Sequence, residues 1–202
     1  MIRAKNFSVY IVIYFSCVLT IFAQTEKNGA SPAWEKGALN GRFVIEVFND
    51  YQCPTCASFN ENLKLLQKKY PNDILVIFRH FPLIQIHDKA MLAAQATEAA
   101  GKQNKFWEMG ELLLERQRYW DSDKNAEKNF TKYAKEIGLD IAKFKEDLNS
   151  SDVKERINLD IERAKSLKLN STPSVLLNGK ILSFVKIADL EKTLFSNEPE
   201  DN

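Results

Sequence analysis

The 202-residue chain is poor in several things at once: 3 Cys, 7 Gly, 6 Pro and 2 His, and almost no net charge, with 28 Lys and Arg against 27 Asp and Glu. The charge balance excludes a polyanion-binding protein and a charged disordered tail. Three cysteines are too few for a disulfide scaffold, and two histidines leave little for a histidine-rich metal site. Beyond residue 22 no apolar run is long enough to cross a membrane. What is present is apolar material: 45% hydrophobic and 11% aromatic residues, enough for one domain with a real core.

The N-terminus bears on the compartment. Arg3 and Lys5 precede an apolar run from Phe7 to Phe22, closed by Ala23-Gln24. A basic start, a short apolar core and a small residue at its end are the pattern of an export signal. Ile21 is large for the position two before the cut, so residues 1–23 read as a cleaved signal peptide or an uncleaved signal anchor. Cys17 lies inside this run, and its loss on cleavage would leave Cys53 and Cys56 as the chain's thiols. Residues 24–40, polar with Gly29, Pro32 and Gly37, read as a linker, and 197–202 as an acidic tail.

Between them lies a patterned region. Arg42 to Phe48 is β-branched and aromatic, and reads as a strand ended by Asn49-Asp50. Pro54 to Tyr70 carries Phe59, Leu63 and Leu66 at helical spacing, and Ile74 to Arg79 is a buried strand. A helical block follows over about 88–168: Asp88 to Gly101, Gln103 to Tyr119, Glu127 to Ile137, a short helix capped by Asp140, and a longer one capped by Ser151. Asn178-Gly179 between apolar runs predicts a hairpin, and Ile187 to Phe195 a closing helix.

Cys53-Pro54-Thr55-Cys56 falls at the junction of the first strand and first helix. The unpaired amides and positive dipole end there favour a thiolate on Cys53, and two intervening residues let the second sulfur reach the first. Cys53 is the expected nucleophile and Cys56 the resolving thiol of a pair that cycles between dithiol and disulfide. A structural disulfide is a weaker reading, because so short a loop restrains the unfolded chain little. A zinc or copper site would need His80 and His87 to converge on the cysteines.

Several ordered motifs carry a resemblance to a known family. These are Asn49-Asp50-Tyr51-Gln52-Cys53-Pro54-Thr55-Cys56, Phe78 to Leu83, Ala99 to Trp107, Ser171-Thr172-Pro173-Ser174 and Asn178-Gly179-Lys180. From about residue 40 to 195 the chain resembles a DsbA-like thiol-disulfide oxidoreductase. The resemblance implies an α/β thioredoxin fold over 41–196, with the helical block inserted between its two β halves. It implies a cis Thr172-Pro173 bond facing the cysteines, with Thr172 and Pro173 as client contacts and Pro54 and Thr55 tuning the redox pair. It also implies exported client proteins, a quinone-linked membrane partner of the DsbB or vitamin K epoxide reductase type, a periplasmic or otherwise extracytoplasmic monomer, and no cofactor, metal or nucleic acid. An oxidase is the leading direction. A reductase or isomerase kept reduced by a membrane donor, and a thiol-based metal chaperone, stay open.

Two departures matter. The family's strongest oxidants have Pro-His between the cysteines, so Thr55 implies a less acidic Cys53. Six residues before the nucleophile the family has a buried carboxylate, and here Val47 stands there. Strand alternation turns the neighbouring Glu46 to the opposite face, which predicts a solvent-facing or salt-bridged Glu46 rather than a proton-relay acid.

Overall fold

The computed structural model describes residues 28–182 and 187–195. In chain order the elements are β1 (Trp34–Gly37), β2 (Phe43–Asn49), α1 (Pro54–Lys69), β3 (Ile74–His80), then α2 (Ala90–Gly101), α3 (Phe106–Glu115), α4 (Gln117–Trp120), α5 (Ala126–Glu136), α6 (Ile141–Leu148) and α7 (Ser151–Ser166). β4 (Ser174–Leu177), β5 (Lys180–Ile181) and α8 (Ile187–Phe195) complete it. The sheet order is β1-β3-β2-β4-β5. β2 and β3 are parallel, joined through α1, and every other neighbouring pair is antiparallel.

The two faces of β2 explain the layers. Ile45 and Val47 point to one side, against Phe59, Leu63 and Leu66 of α1 and Leu190 and Leu194 of α8. Phe48 points to the other, against Leu176, Phe81 and Ala164 of α7. A third apolar cluster fills the helical block, where Phe106, Met109, Leu113, Trp120, Phe130 and Phe144 meet Phe78 from β3 and Tyr51 from the turn after β2. α2 runs through its centre with Ala93, Ala96, Ala99 and Ala100 fully buried, and these small side chains let its neighbours approach closely. The expected insertion between β3 and β4 is therefore present as α2 to α7.

The hairpin forms at Asn178-Gly179, both with positive φ (47° and 79°), the geometry a two-residue turn between paired strands requires. Asp140 caps α6 by accepting from the Lys143 amide. The cap of α7 is Ser150, one residue before the expected Ser151. The Gln103 to Tyr119 helix is two helices meeting at Arg116, preceded by a turn at Asn104 (φ 60°).

One boundary needs correction. Residues 34–37, inside the stretch read as a linker, form β1, which pairs with β3 in the register Trp34↔Phe78 to Gly37↔Leu75. Trp34 stacks on Phe106 at 4.2 Å and donates its indole N–H to Glu98 at 2.7 Å, and Ala30 is buried. A four-residue edge strand, Trp-Glu-Lys-Gly, has no apolar alternation to betray it; a single aromatic anchors it. Residues 1–23 and 197–202 lie outside the described residues. Among the described residues no helix is long and apolar enough to cross a membrane.

Candidate redox site

Cys53 occupies the N-cap of α1 with extended backbone (φ −76°, ψ 120°), and Pro54 takes the first helical position, where its missing N–H costs nothing. The Cys53 carbonyl accepts from the Cys56 and Ala57 amides at 3.1 and 3.3 Å. This puts the two sulfurs on the same first turn. Both are free thiols, Cys53 with 7% of its surface exposed and Cys56 with none.

The Thr172–Pro173 peptide bond is cis, and its loop faces the pair. The Thr172 carbonyl lies 3.4 Å from Cys53 Sγ and 3.3 Å from Thr55 Oγ1. Thr55 Oγ1 is 2.9 Å from Cys53 Sγ. The neighbouring Cys56 thiol does most to hold the Cys53 thiol acidic; burial opposes it, the Thr55 side chain assists, and the result is lowered to about 5. That lies between the values of about 7 and 3.5 for thioredoxin and DsbA. Burial, and then the negative sulfur of Cys53 beside it, push Cys56 well above the ordinary thiol value. One thiol is ready to be a nucleophile at neutral pH and the other is held protonated.

The pair rests on a frame drawn from distant parts of the chain. Gln117, from α4, donates to the carbonyls of Tyr51 (2.7 Å) and Cys53 (3.0 Å). Gln52 donates to Asp121 (2.7 Å) and Asp88 (3.0 Å) and accepts from the Lys89 amide (2.7 Å). Asn60 donates to the Cys56 carbonyl and to Asn49 Oδ1, both at 2.9 Å. Sequence reasoning missed Gln117, Gln52 and Asn60 as site supports. Gln52 could have been suspected from its place next to Cys53, but Gln117 lies 64 residues away and carries no local signal.

Val47 faces the α1 side of the sheet, inside the apolar cluster. Glu46 faces the α7 side, as alternation requires, but it is buried rather than solvent-facing, with 6% of its surface exposed. It accepts from Arg79 Nε at 2.8 Å and from Arg163 Nε and Nη2 at 2.8 and 2.6 Å. Arg79 continues to Asp160 (3.0 Å) and the Ala30 carbonyl (2.7 Å), so this network ties β2, β3, α7 and the segment before β1 together on the face away from Val47. The two histidines do not converge on the cysteines as ligands: His80 Nε2 pairs with Glu98 at 3.0 Å and His87 Nδ1 with Asp50 at 2.7 Å. Among the described residues no group of three or more His, Cys, Asp or Glu could hold a metal ion.

The chain is similar to known proteins in sequence and in fold. Residues 32–195 match the Thioredoxin_4 family model, described as thioredoxin. The solved structure of a thioredoxin-like oxidoreductase from Silicibacter pomeroyi DSS-3 superposes with a TM-score of 0.72 at 25% identity, covering 85% of this chain and 95% of that one. The thiol-disulfide exchange protein alpha-DsbA2 from Wolbachia pipientis gives 0.71 at 18% identity, covering 87% and 91%. Among curated proteins, the Na(+)/H(+) antiporter NhaA 1 of Mycolicibacterium vanbaalenii is 34% identical over 146 residues, 71% of this chain. The match spans only 23% of that antiporter's length, so its transport activity belongs to a much longer protein. By its match to the family model over residues 32–195 and its sheet order, the chain belongs to the thioredoxin family.

Proposed function

We propose that the protein is an extracytoplasmic thiol-disulfide oxidoreductase that exchanges disulfides with exported client proteins through Cys53 and Cys56, acting as an oxidase. The observation that carries this reading is the asymmetry of the two thiols: Cys53 acidic, at the helix start and still partly open to solvent at 7%, Cys56 fully buried and protonated. In the oxidised protein a client thiolate attacks Cys53 Sγ, the Cys53–Cys56 bond breaks, and Cys56 leaves as a thiolate that takes up a proton. A second client thiolate then attacks the client sulfur of the mixed disulfide. Cys53 leaves as a stabilised thiolate, the client has lost two electrons and this protein has gained them. In the reverse direction Cys56 attacks the mixed disulfide at Cys53 and returns the protein to its disulfide.

Client contact falls to the Thr172-Pro173 loop, whose carbonyl lies beside Cys53, and to exposed apolar side chains on the segments that hold the site. Ile84 and Ile86 follow Leu83, which is bonded to Asp50, and Tyr119 follows Gln117; all three are more than half exposed. Export by residues 1–23 supports the oxidising direction, since disulfides persist outside the cytoplasm. Reoxidation then falls to a membrane partner of the DsbB or vitamin K epoxide reductase type. Pro54 and Thr55 tune the pair within this reading, and no cofactor enters it.

The test is Cys56→Ser in cells. It removes the escape by which Cys56 displaces a bound client, so mixed disulfides through Cys53 are expected to accumulate, and their absence would sink the redox reading. The steady-state redox form of the wild type decides direction: a mostly oxidised pool supports the oxidase, a reduced pool the reductase or isomerase.

A further inference from the structure

The nucleophile stands at a helix start without the cap that such a position ordinarily has. N-cap residues are commonly Ser, Thr, Asp or Asn, whose side-chain oxygen accepts from an amide of the first turn and so fixes the backbone there. Cys53 makes no side-chain cap hydrogen bond, and a sulfur engaged in capping would be withdrawn from exchange. Its backbone is held from elsewhere. The Cys53 carbonyl accepts from the Cys56 amide at 3.1 Å, the Ala57 amide at 3.3 Å and Gln117 Nε2 at 3.0 Å. The shortest of these comes not from α1 but from α4, 64 residues along the chain.

The grip is two-sided. Gln117 Nε2 carries two hydrogens, and the second goes to the Tyr51 carbonyl at 2.7 Å, so one amide spans the carbonyls of residues 51 and 53. Between them, Gln52 reaches back and donates to Asp121, the residue after α4, at 2.7 Å. α4 has a fixed seat of its own. Trp120 is fully buried, donates its indole N–H to the Leu113 carbonyl at 2.8 Å and meets Phe130 edge-on at 5.1 Å. The helical block therefore holds residues 51–53 from both ends of α4. Cys53 and Cys56 are free thiols here, so these bonds belong to the reduced form.

We infer that Gln117 is a positioning residue that stabilises the dithiol form of the redox pair more than the disulfide form, and so raises the oxidising power of the protein. This rests on the redox reading given above. In the disulfide form the covalent link between Cys53 and Cys56 itself restrains the backbone of residues 53–56. In the dithiol form that restraint is gone, and non-covalent contacts alone keep Cys53 Sγ at the helix terminus and 2.9 Å from Thr55 Oγ1. A donor that fixes the Cys53 carbonyl contributes more where nothing covalent does the same, because a thiolate gains most from dipoles that need not reorient. Gln117 bonds to backbone carbonyls, so it acts through the position of Cys53.

The test is the exchange equilibrium of the full chain with glutathione. Two glutathione thiols join as glutathione disulfide, giving up two electrons and two protons; the Cys53–Cys56 bond breaks, and the electrons and protons pass to its two sulfurs, the proton at Cys53 being released where that thiol ionises. Gln117→Met keeps the length of the side chain and removes both donors, and Gln117→His keeps one N–H at similar reach. In Gln117→Met the equilibrium constant is expected to move about three- to tenfold toward the protein disulfide, a potential lower by about 15 to 30 mV for two electrons. Gln117→His should move it less, in the same direction. Denaturant unfolding should show the reduced form losing more stability than the oxidised form, and the Cys53 thiolate absorbance should titrate at higher pH.

A folded Gln117→Met with the wild-type equilibrium constant, or with a shift toward the dithiol, overturns the inference. Equal loss of stability in the two redox forms overturns it as well, since Gln117 would then be a structural support that does not distinguish them. If Gln117→Met does not fold, Gln117→His carries the comparison, and an unchanged constant there overturns the inference. Failure of the wild-type disulfide to equilibrate with glutathione at all would instead count against the redox reading on which Gln117 depends.

Discussion

Thr55 Oγ1 lies 2.9 Å from Cys53 Sγ, and the same oxygen is 3.3 Å from the Thr172 carbonyl. The hydroxyl has one hydrogen and two acceptors within reach. When Cys53 is a thiol, the Thr172 carbonyl can accept from either group; when Cys53 is a thiolate, the stronger acceptor draws the hydroxyl hydrogen. Thr55 thus supplies a neutral donor at the position where the family's strongest oxidants have histidine.

Removing that donor should therefore make Cys53 less acidic. Thr55→Val keeps the branched shape and deletes the hydroxyl, and is expected to raise the Cys53 pKa by about one unit, the effect of one hydrogen bond to an ionised group. Ultraviolet absorbance of the thiolate across a pH titration checks it. An unchanged midpoint would assign the acidity to Cys56 and the helix terminus alone.

The wild-type titration has its own expectation. Cys53 is lowered to about 5, so the reduced protein holds a thiolate at neutral pH. Alkylation by iodoacetamide should be nearly flat from about pH 6 to 8 and fall about tenfold per unit below the midpoint, because only the thiolate reacts. A group with a depressed folded pKa stabilises the fold above its unfolded value, and that contribution is lost as pH falls through the folded one. The reduced form should accordingly lose stability, relative to the oxidised form, as pH falls from about 9 toward 5.

Glu46→Gln separates structure from chemistry. Burial pushes the Glu46 carboxyl up, but the hydrogen bonds and charges of Arg163 and Arg79 outweigh it and hold the group below its ordinary 4.5. Neutralising it leaves Arg79 with less compensation in a buried network, a loss of about 3 kcal/mol or more by chemical denaturation. The wild type should lose stability more steeply than the variant as pH falls below 4.5, where Glu46 takes up its proton. The Cys53–Cys56 reduction potential should be unmoved. A shift in potential as large as that caused by Thr55→Val would make Glu46 part of the redox site.

Gly110→Ala tests the contact between the helical block and the active-site turn. A Cβ there would stand 2.8 Å from Tyr51 Oη and 3.4 Å from the ring, and Tyr51 is 2% exposed, so its ring would have to shift. A cost of about 1 to 3 kcal/mol is expected, read as a lower melting temperature. An unchanged melting temperature would show that Tyr51 repacks freely.

Local chemistry made much of this molecule legible in one dimension. The β-branched run at 43–48, the stripe of Phe59, Leu63 and Leu66, the alanine-rich stretch and Asn178-Gly179 each declare their element through neighbours within one or two turns. Cys-Pro-Thr-Cys at a strand-to-helix junction likewise determined where the thiols sit along the chain, since a helix start and a first-turn proline are local properties, whereas the burial that sets Cys56 apart from Cys53 comes from the fold. Tertiary structure decided what depends on chain segments meeting across tens of residues. Trp34–Gly37 is a strand only because β3 and Phe106 receive it, and Glu46 is buried only because Arg79 and Arg163 arrive to pair with it. Gln117 and His87 join the site through hydrogen bonds made 64 and 37 residues along the chain from their partners. Such contacts leave no periodic trace in sequence, because a single polar side chain has the same local appearance whether it faces water or a buried carbonyl.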